Sequence, residues 1–453
     1  MADQQTNHGR TVSVTNTVAV YPKTLSPDHK ILCLSNLDRQ CPILMYLVLF
    51  YKPCHAYSEL SLNSVFSSLK SGLEETLSVW YPAAGRLSLN PDDGKLNLWC
   101  NNEGAILVEA VTPVKIAELG DLSQYNEFLE KLVHKPVFNG NFTEMPLVVA
   151  QVTKFGCGSY SVSIGASHSL FDGPATFDFL CAWASNSAIM KEKRGDELHK
   201  PVLERGTLLV GNMQPHTPRI RAAAIDHMYQ LIQQSLLGNP DTGCANYVLK
   251  TFHLSGEMIE KLKRTILAQG RGNFSCSSFD LVTAHLWKAR TKAMGVRNER
   301  MVCLQFAVDT RNKMVPPLPK GFGGNAYVLT SVALRAGELE ESSHEAIIEK
   351  IKQAKNLVNN DYVNAYMAAL DGPQAALPPL KELTIVSDWT RMPFHKVDFL
   401  PGNAAYASPL VSPIPQVAYF MQNPTDLRGI DVRIGLHPQA LDAFSHHFLE
   451  NLQ

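Results

Sequence analysis

The spacing of apolar positions changes period several times along the first half of the chain, and each change marks an element. Residues 11–20 alternate apolar and polar, which predicts a strand. The longest apolar run covers residues 43–51 between Pro42 and Pro53, and its core, 45–51, reads as a buried strand. Residues 61–81 instead repeat every three to four positions. Leu62, Val65, Phe66, Leu69, Leu73 and Leu77 then share one helical face. Tyr81-Pro82-Ala83-Ala84-Gly85 ends that helix, because proline lacks an N–H and glycine leaves helical backbone readily. Short strands are expected over 95–99 and 105–110. A strand pair over 147–153 and 159–166 turns through Gly156-Cys157-Gly158, and a helix follows over 175–190.

The second half repeats this mixture after a break. Residues 191–219 are polar and proline-bearing, as a crossover between domains would be. A helix is expected over 226–237, a strand over 246–254, helices over 257–268 and 278–294, and strands over 301–308 and 327–334. The fold class is therefore α/β (α+β), with mixed sheets flanked by helices. A chain of 453 residues exceeds one ordinary core. Two domains are expected, 1–190 and 226–453, joined by a crossover loop over 191–225.

Composition narrows the partners. Hydrophobic residues make up 45% and charged residues 18%, which describes a folded globular chain. The formal net charge is −1 with no long basic run, which argues against nucleic acid or an anionic membrane surface as main partner. No apolar run is long enough to span a bilayer, and Met1-Ala2-Asp3-Gln4-Gln5 lacks an apolar signal core. Nine cysteines without a C-x-x-C pair point to a reducing cytoplasm. His446-His447 is read as lacking a carboxylate or thiol at ligand spacing, so no metal is expected. Gly321-Phe322-Gly323-Gly324-Asn325-Ala326 matches G-x-G-x-x-A, but Pro316-Pro317-Leu318-Pro319 precedes it, so it reads as a loop and not a dinucleotide site.

The segment His168-Ser169-Leu170-Phe171-Asp172-Gly173 carries the candidate chemistry. A histidine at the end of a buried strand can act as a general base if its pKa is near neutrality and its ring is oriented. The competing reading is a satisfied core histidine.

His168-Ser169-Leu170-Phe171-Asp172-Gly173 resembles the HxxxDG motif of the plant BAHD acyltransferases. Leu34-Ser35-Asn36-Leu37-Asp38 resembles the family's L-S-x-L-D. Tyr81-Pro82-Ala83-Ala84-Gly85-Arg86-Leu87 is similar to Y-P-L-A-G-R-L. Asp309-Thr310-Arg311, Pro317-Leu318-Pro319 and Gly324-Asn325 resemble D-x-R, P-x-L-P and G-N, and Trp389-Thr390-Arg391-Met392-Pro393 resembles W-x-R-x-P. These follow family order over nearly the whole chain. The second signature, D-F-G-W-G, departs: it reads Asp398-Phe399-Leu400-Pro401-Gly402, keeping Asp398, Phe399 and Gly402. Proline fixes φ and removes an N–H, so this loop must differ locally.

The resemblance implies two chloramphenicol-acetyltransferase-like domains with a channel between them, and a segment near 372–396 packing with the first. It implies a monomer, no bound cofactor, acyl-CoA as co-substrate donor, and a small-molecule alcohol or amine acceptor. His168 would be the general base and Asp172 would orient the frame by pairing with Arg311. Gly173 would permit a tight backbone. In the shikimate-acylating branch the strand before F-Y-R-P carries Thr, Ser and Tyr. Here Phe50-Tyr51-Lys52-Pro53 follows Met45, Leu47 and Leu49, an apolar face at period two. That predicts an apolar acceptor, with plain core residues as the alternative. Arg391 matches an arginine that meets an acceptor carboxylate in that branch. A non-catalytic accessory or binding role on the same fold is the competing function.

Overall fold

The computed structural model describes residues 11–25, 30–53, 60–137, 142–191, 200–209, 247–269, 275–370, 382–410, 417–450 and 452. Most of the expected crossover and the helix expected over 226–237 lie outside them. The chain divides into two compact units. One is Met1–Leu209 with Pro319–Asn325 and Met392–Leu410; the other is Val210–Leu318 with Ala326–Arg391 and Val411–Gln453.

The first unit holds strands β1 (Ser13–Val20), β2 (Lys30–Leu32), β3 (Leu44–Tyr51), β4 (Arg86–Leu89), β5 (Leu96–Cys100), β6 (Ala105–Thr112), β7 (Val148–Phe155), β8 (Tyr160–Ser167) and β13 (Tyr406–Pro409). Its main sheet runs β1-β6-β7-β8-β3-β13, and β2-β5-β4 forms a small second sheet. Only the β6–β7 pair of the main sheet is parallel. Helix α1 (Asn36–Arg39) is capped by Ser35 and Asp38 reciprocally. Helix α2 (Leu62–Val79) buries Val65, Phe66, Leu69, Leu73 and Leu77, five of the six positions that the helical spacing puts on one face. Helix α3 (Gly173–Asn186) packs on it: the indole of Trp183 donates to the Leu69 carbonyl at 2.8 Å. A short α4 (Ala188–Lys191) follows. The other face of β3 sends Val48 and Phe50 into a core with Phe128, Leu129, Leu132 and Phe155.

The second unit holds β9 (Val248–Leu254), β10 (Met301–Asp309), β11 (Tyr327–Arg335), β12 (Leu383–Asp388), β14 (Val417–Gln422) and β15 (Ile430–Leu436), in the order β11-β10-β12-β14-β15-β9. The β10–β12 and β12–β14 pairs are parallel and the others antiparallel. Its helices are α5 (Gly256–Gln269), α6 (Ser278–Ala293), α7 (Ala336–Glu341), α8 (His344–Leu357), α9 (Asn360–Leu370) and α10 (Pro438–Leu449). Both units are thus mixed sheets with helices. Among the described residues no helix is long and apolar enough to cross a membrane.

The helical layer of the second unit contains a histidine pair. His285 Nε2 donates to the Phe448 carbonyl at 2.8 Å, which leaves Nδ1 to face His344 Nε2 at 3.3 Å. Burial first, then His285 and Lys288, push the His344 pKa down to about 4 from an ordinary 6.5. The unfolded chain therefore takes up this proton at a higher pH than the folded chain. Stability should be complete above pH 6.5 and decline as the pH falls from about 6.5 to 4. The expected loss is on the order of 2 kcal/mol between pH 7 and 4.5, read from denaturant midpoints. In His344→Gln most of that decline should vanish.

Candidate active site

His168 sits one residue beyond β8, where the sheet hands the chain to α3. The turn is fixed by backbone bonds. Ser167 N donates to the Leu147 carbonyl at 2.8 Å, and His168 N to the Ile43 carbonyl at 2.8 Å. Leu170 N and Phe171 N fold back on the Ser167 carbonyl at 2.9 and 3.2 Å. Phe171 then packs edge-on against Trp80, with centroids 5.4 Å apart, and against Phe179 at 5.1 Å. The turn that presents the histidine is thereby tied both to the sheet and to the core under α3.

Asp172 is the N-cap of α3: its Oδ1 accepts from Ala175 N at 3.1 Å, and Pro174 supplies the first-turn proline. Gly173 is the first helical residue. A Cβ there would stand 2.7 Å from Met392 Sδ, so the glycine answers a close approach by a flexible side chain and not a left-handed backbone. Arg311 belongs to the second unit, where its Nη1 lies 3.4 Å from Asp309 Oδ1.

Around the histidine stands a buried polar cluster, of which Asp38 and Asn325 lie in the L-S-x-L-D-like and G-N-like segments. Asp38 and Arg205 are both fully buried and form a two-point ion pair: Nε to Oδ2 at 2.8 Å and Nη2 to Oδ1 at 3.2 Å. Asn325 donates to Asp38 Oδ1 through its backbone N at 3.1 Å and Nδ2 at 3.0 Å. The same Nδ2 lies 2.8 Å from the His168 carbonyl. A Cβ on Gly324 would come within 2.7 Å of the Arg205 guanidinium carbon, so a larger residue before Asn325 would push the guanidinium off its place on Asp38. The S-x-x-D spacing of a capping box is a signal that could have marked Asp38. Arg205, in a polar segment without periodicity, had no such signal.

The imidazole is partly buried as a side chain, and its Nδ1 is sealed from solvent. Burial lowers the His168 pKa; its own carbonyl, Asp172, Asn325 and Asp38 push the other way. A ring held neutral in this way can accept a proton near neutral pH.

Met45, Leu47 and Leu49 face Ala166, Ile164 and Val162 across the β3–β8 pair, making one apolar row. Leu47 and Leu49 are buried, and Met45, at the His168 end of the row, is partly exposed. Arg391 is exposed in the second unit. Asp398, Phe399 and Gly402 lie in the first unit, with Gly402 at φ 107°. A cavity of about 270 Å³ in the second unit, at the start of α5 and lined by Ser278, Gln422 and Arg428, touches Thr390 of the W-x-R-x-P-like segment but none of the candidate site residues. His446 and His447 do have a carboxylate at ligand spacing, contrary to the sequence reading. Glu450 is four residues on, and the three donor atoms lie within 4.8 Å of one another, at the surface.

Comparison with known proteins agrees with the fold. The model of the family described as "Transferase family" matches residues 10–451. Brassinosteroid-related acyltransferase 1 of Arabidopsis thaliana is 52% identical over 97% of this chain and 98% of its own. Omega-hydroxypalmitate O-feruloyl transferase of the same plant is 31% identical over 92% of this chain and 88% of its own. Fatty alcohol:caffeoyl-CoA acyltransferase, also from that plant, is 32% identical over 91% of this chain and 92% of its own. The crystal structure of vinorine synthase superposes with a TM-score of 0.73 at 20% identity, covering 97% of this chain and 98% of that one, a likeness of fold. With the family matched over nearly its full length and two mixed-sheet units to support it, this chain belongs to the Transferase family, the plant BAHD acyltransferases, and is an acyltransferase.

Proposed function

We propose that this chain moves an acyl group from an acyl-CoA thioester to the hydroxyl of an apolar acceptor, with His168 as general base. The observation that carries the base assignment is the imidazole held at the end of β8, with Nδ1 sealed and the ring kept neutral by burial. His168 takes the acceptor O–H proton while the oxygen attacks the thioester carbonyl. The tetrahedral intermediate collapses with cleavage of the C–S bond. The imidazolium returns the proton to the departing sulfur, giving an ester and free CoA. No acyl-enzyme forms, so both substrates are bound together. Asp172 serves the frame by capping α3, and an ion pair with Arg311 remains part of the proposed frame.

The acceptor class rests on the row of Met45, Leu47 and Leu49 beside Ala166, two residues before His168. Such a wall offers nothing to a polyhydroxylated acid, whose unpaired groups would lose affinity. Relatives named for ω-hydroxypalmitate, fatty alcohols and brassinosteroids support a steroidal or long-chain alcohol. Two of those names also support a hydroxycinnamoyl donor. The test is a donor-by-acceptor screen by mass spectrometry, using feruloyl-, caffeoyl- and acetyl-CoA against a steroid alcohol, a long-chain alcohol, shikimate and quinate. Ester formation with matching CoA release is expected on the apolar alcohols. Equal or faster acylation of shikimate or quinate overturns the acceptor assignment.

A further inference from the structure

Three separated pieces of the first unit, Ser35–Asp38, Arg205 and Asn325, meet on the backbone of the His168 turn. Asp38 is the hub. Its Oδ2 accepts from Ser35 N at 2.9 Å, Ser35 Oγ at 2.8 Å and Arg205 Nε at 2.8 Å. Its Oδ1 accepts from Arg205 Nη2 at 3.2 Å and from the Asn325 N and Nδ2 at 3.1 and 3.0 Å. The cluster reaches the turn twice, through Asn325 Nδ2 on the His168 carbonyl at 2.8 Å and Arg205 Nη2 on the Leu170 carbonyl at 3.4 Å. Arg205 Nη1 is occupied by the Leu203 carbonyl at 2.7 Å.

The chemistry of Asn325 follows from these partners. Its side chain has one donor end and one acceptor end. Two pure acceptors, the Asp38 carboxylate and the His168 carbonyl, both claim the NH₂ end. The amide cannot flip without setting its oxygen against both. Its Oδ1 must therefore point away from them, and it is buried. An amide oxygen turned toward the imidazole would favour the ring form that carries a proton toward it.

We propose that Asp38 and Arg205 lock the Asn325 amide in one orientation, and that Asn325, bonded to the His168 carbonyl, in turn positions His168 with the proton on Nδ1 and Nε2 as the proton-accepting nitrogen. Asp38, Arg205 and Asn325 are positioning residues, and the assignment rests on His168 being the general base. In this arrangement an amide oriented by a buried ion pair does the steering that a carboxylate does in a Ser-His-Asp triad, while Asp172 caps α3. The fixed charges and dipoles bearing on the ring are Asp172, Asp38, Asn325 and the His168 carbonyl.

The test compares Asn325→Asp, Asp38→Asn and His168→Ala in the full chain, with an acyl-CoA donor and whichever alcohol the screen returns. Asn325→Asp keeps size and backbone donor but sets a carboxylate against Asp38 and the His168 carbonyl. It should lower kcat by about tenfold or more, by analogy with other groups that orient a functional histidine. KM for both substrates should stay within about threefold, since neither residue is assigned a substrate contact. The acid limb of the kcat–pH profile should move. Asp38→Asn should act in the same direction, with a fall in thermal midpoint because Arg205 loses its counter-charge. If both variants fold and keep wild-type kcat and an unmoved acid limb while His168→Ala is inactive, the positioning role is wrong and the base assignment stands. If kcat falls only in proportion to the folded fraction, with the limb unmoved, the cluster is structural only and the proposal is overturned. If His168→Ala turns over normally, the base assignment itself fails. Should neither variant fold, histidine-selective long-range ¹H–¹⁵N spectra of the wild-type chain decide. The Nδ1–H tautomer is expected at His168, and the Nε2–H tautomer overturns the proposal.

Discussion

Replacing His168 with alanine is expected to cut turnover by about 10²–10⁴-fold while leaving the fold intact. The turn is held by backbone bonds from Ser167, His168, Leu170 and Phe171, and by Phe171 against Trp80 and Phe179. A thermal midpoint near that of the wild type would therefore accompany the loss. Removing the base also removes any titration it causes. Because burial lowers the His168 pKa below its ordinary 6.5, the wild-type imidazole stays neutral as the pH falls past that point. The acid limb of kcat/KM, which reports the free enzyme, should thus lie below pH 6.5. Both should be read from CoA release with saturating and limiting acceptor. A folded His168→Ala variant with undiminished transfer, or with undiminished biological effect, would favour the accessory role instead.

The sequence was most legible where one residue pattern served one packing job. The stripe from Leu62 to Leu77 declared α2 because those positions had to face a core. The alternation over 11–20 declared β1, and Gly156-Cys157-Gly158 declared the β7–β8 hairpin. His168 could be found because a strand ended just before it. Short edges were harder. β13 is four residues long, ends on Pro409, and forms only because β3 offers it an edge. Four residues carry no period, so local pattern does not mark residues 392–410 as part of the first unit; the resemblance suggested a segment near 372–396, of which residues up to Arg391 group with the second unit. Arg205 shows a different limit. A buried arginine is specified by its partner, and Asp38 lies 167 residues earlier. Local pattern cannot pair such residues. The glycine of the motif was read as a backbone requirement, whereas the structure gives it a neighbour, Met392, that comes from the far end of the chain.

Phe399→Ala is expected to destabilise the first unit by about 3–5 kcal/mol, the usual range for emptying a buried aromatic site. Phe399 is 1% exposed and meets Trp183 edge-on, with centroids 4.6 Å apart. Its backbone N donates to the Tyr51 hydroxyl at 3.4 Å, and that hydroxyl donates to the Val397 carbonyl at 2.5 Å. The loop is then tied down on its far side, where Ala405 N donates to the Phe50 carbonyl at 2.6 Å. Between these anchors lies the altered pair. Leu400 is wholly buried, so a side chain has taken the place where the related motif has none, and its burial contributes apolar contact of its own. Pro401 is partly exposed, and Gly402 accepts the positive φ that lets the chain turn out of the loop. The altered motif is thus a packing element with an intact aromatic anchor. Denaturant unfolding followed by tryptophan emission, which Trp183 places next to the substitution, reads the effect directly. A midpoint shift equivalent to less than about 1 kcal/mol would mean that the loop relaxes into the space and that Phe399 does not anchor it. Turnover per folded molecule should change far less than stability, since no bond from Phe399 reaches the His168 turn among those that hold it.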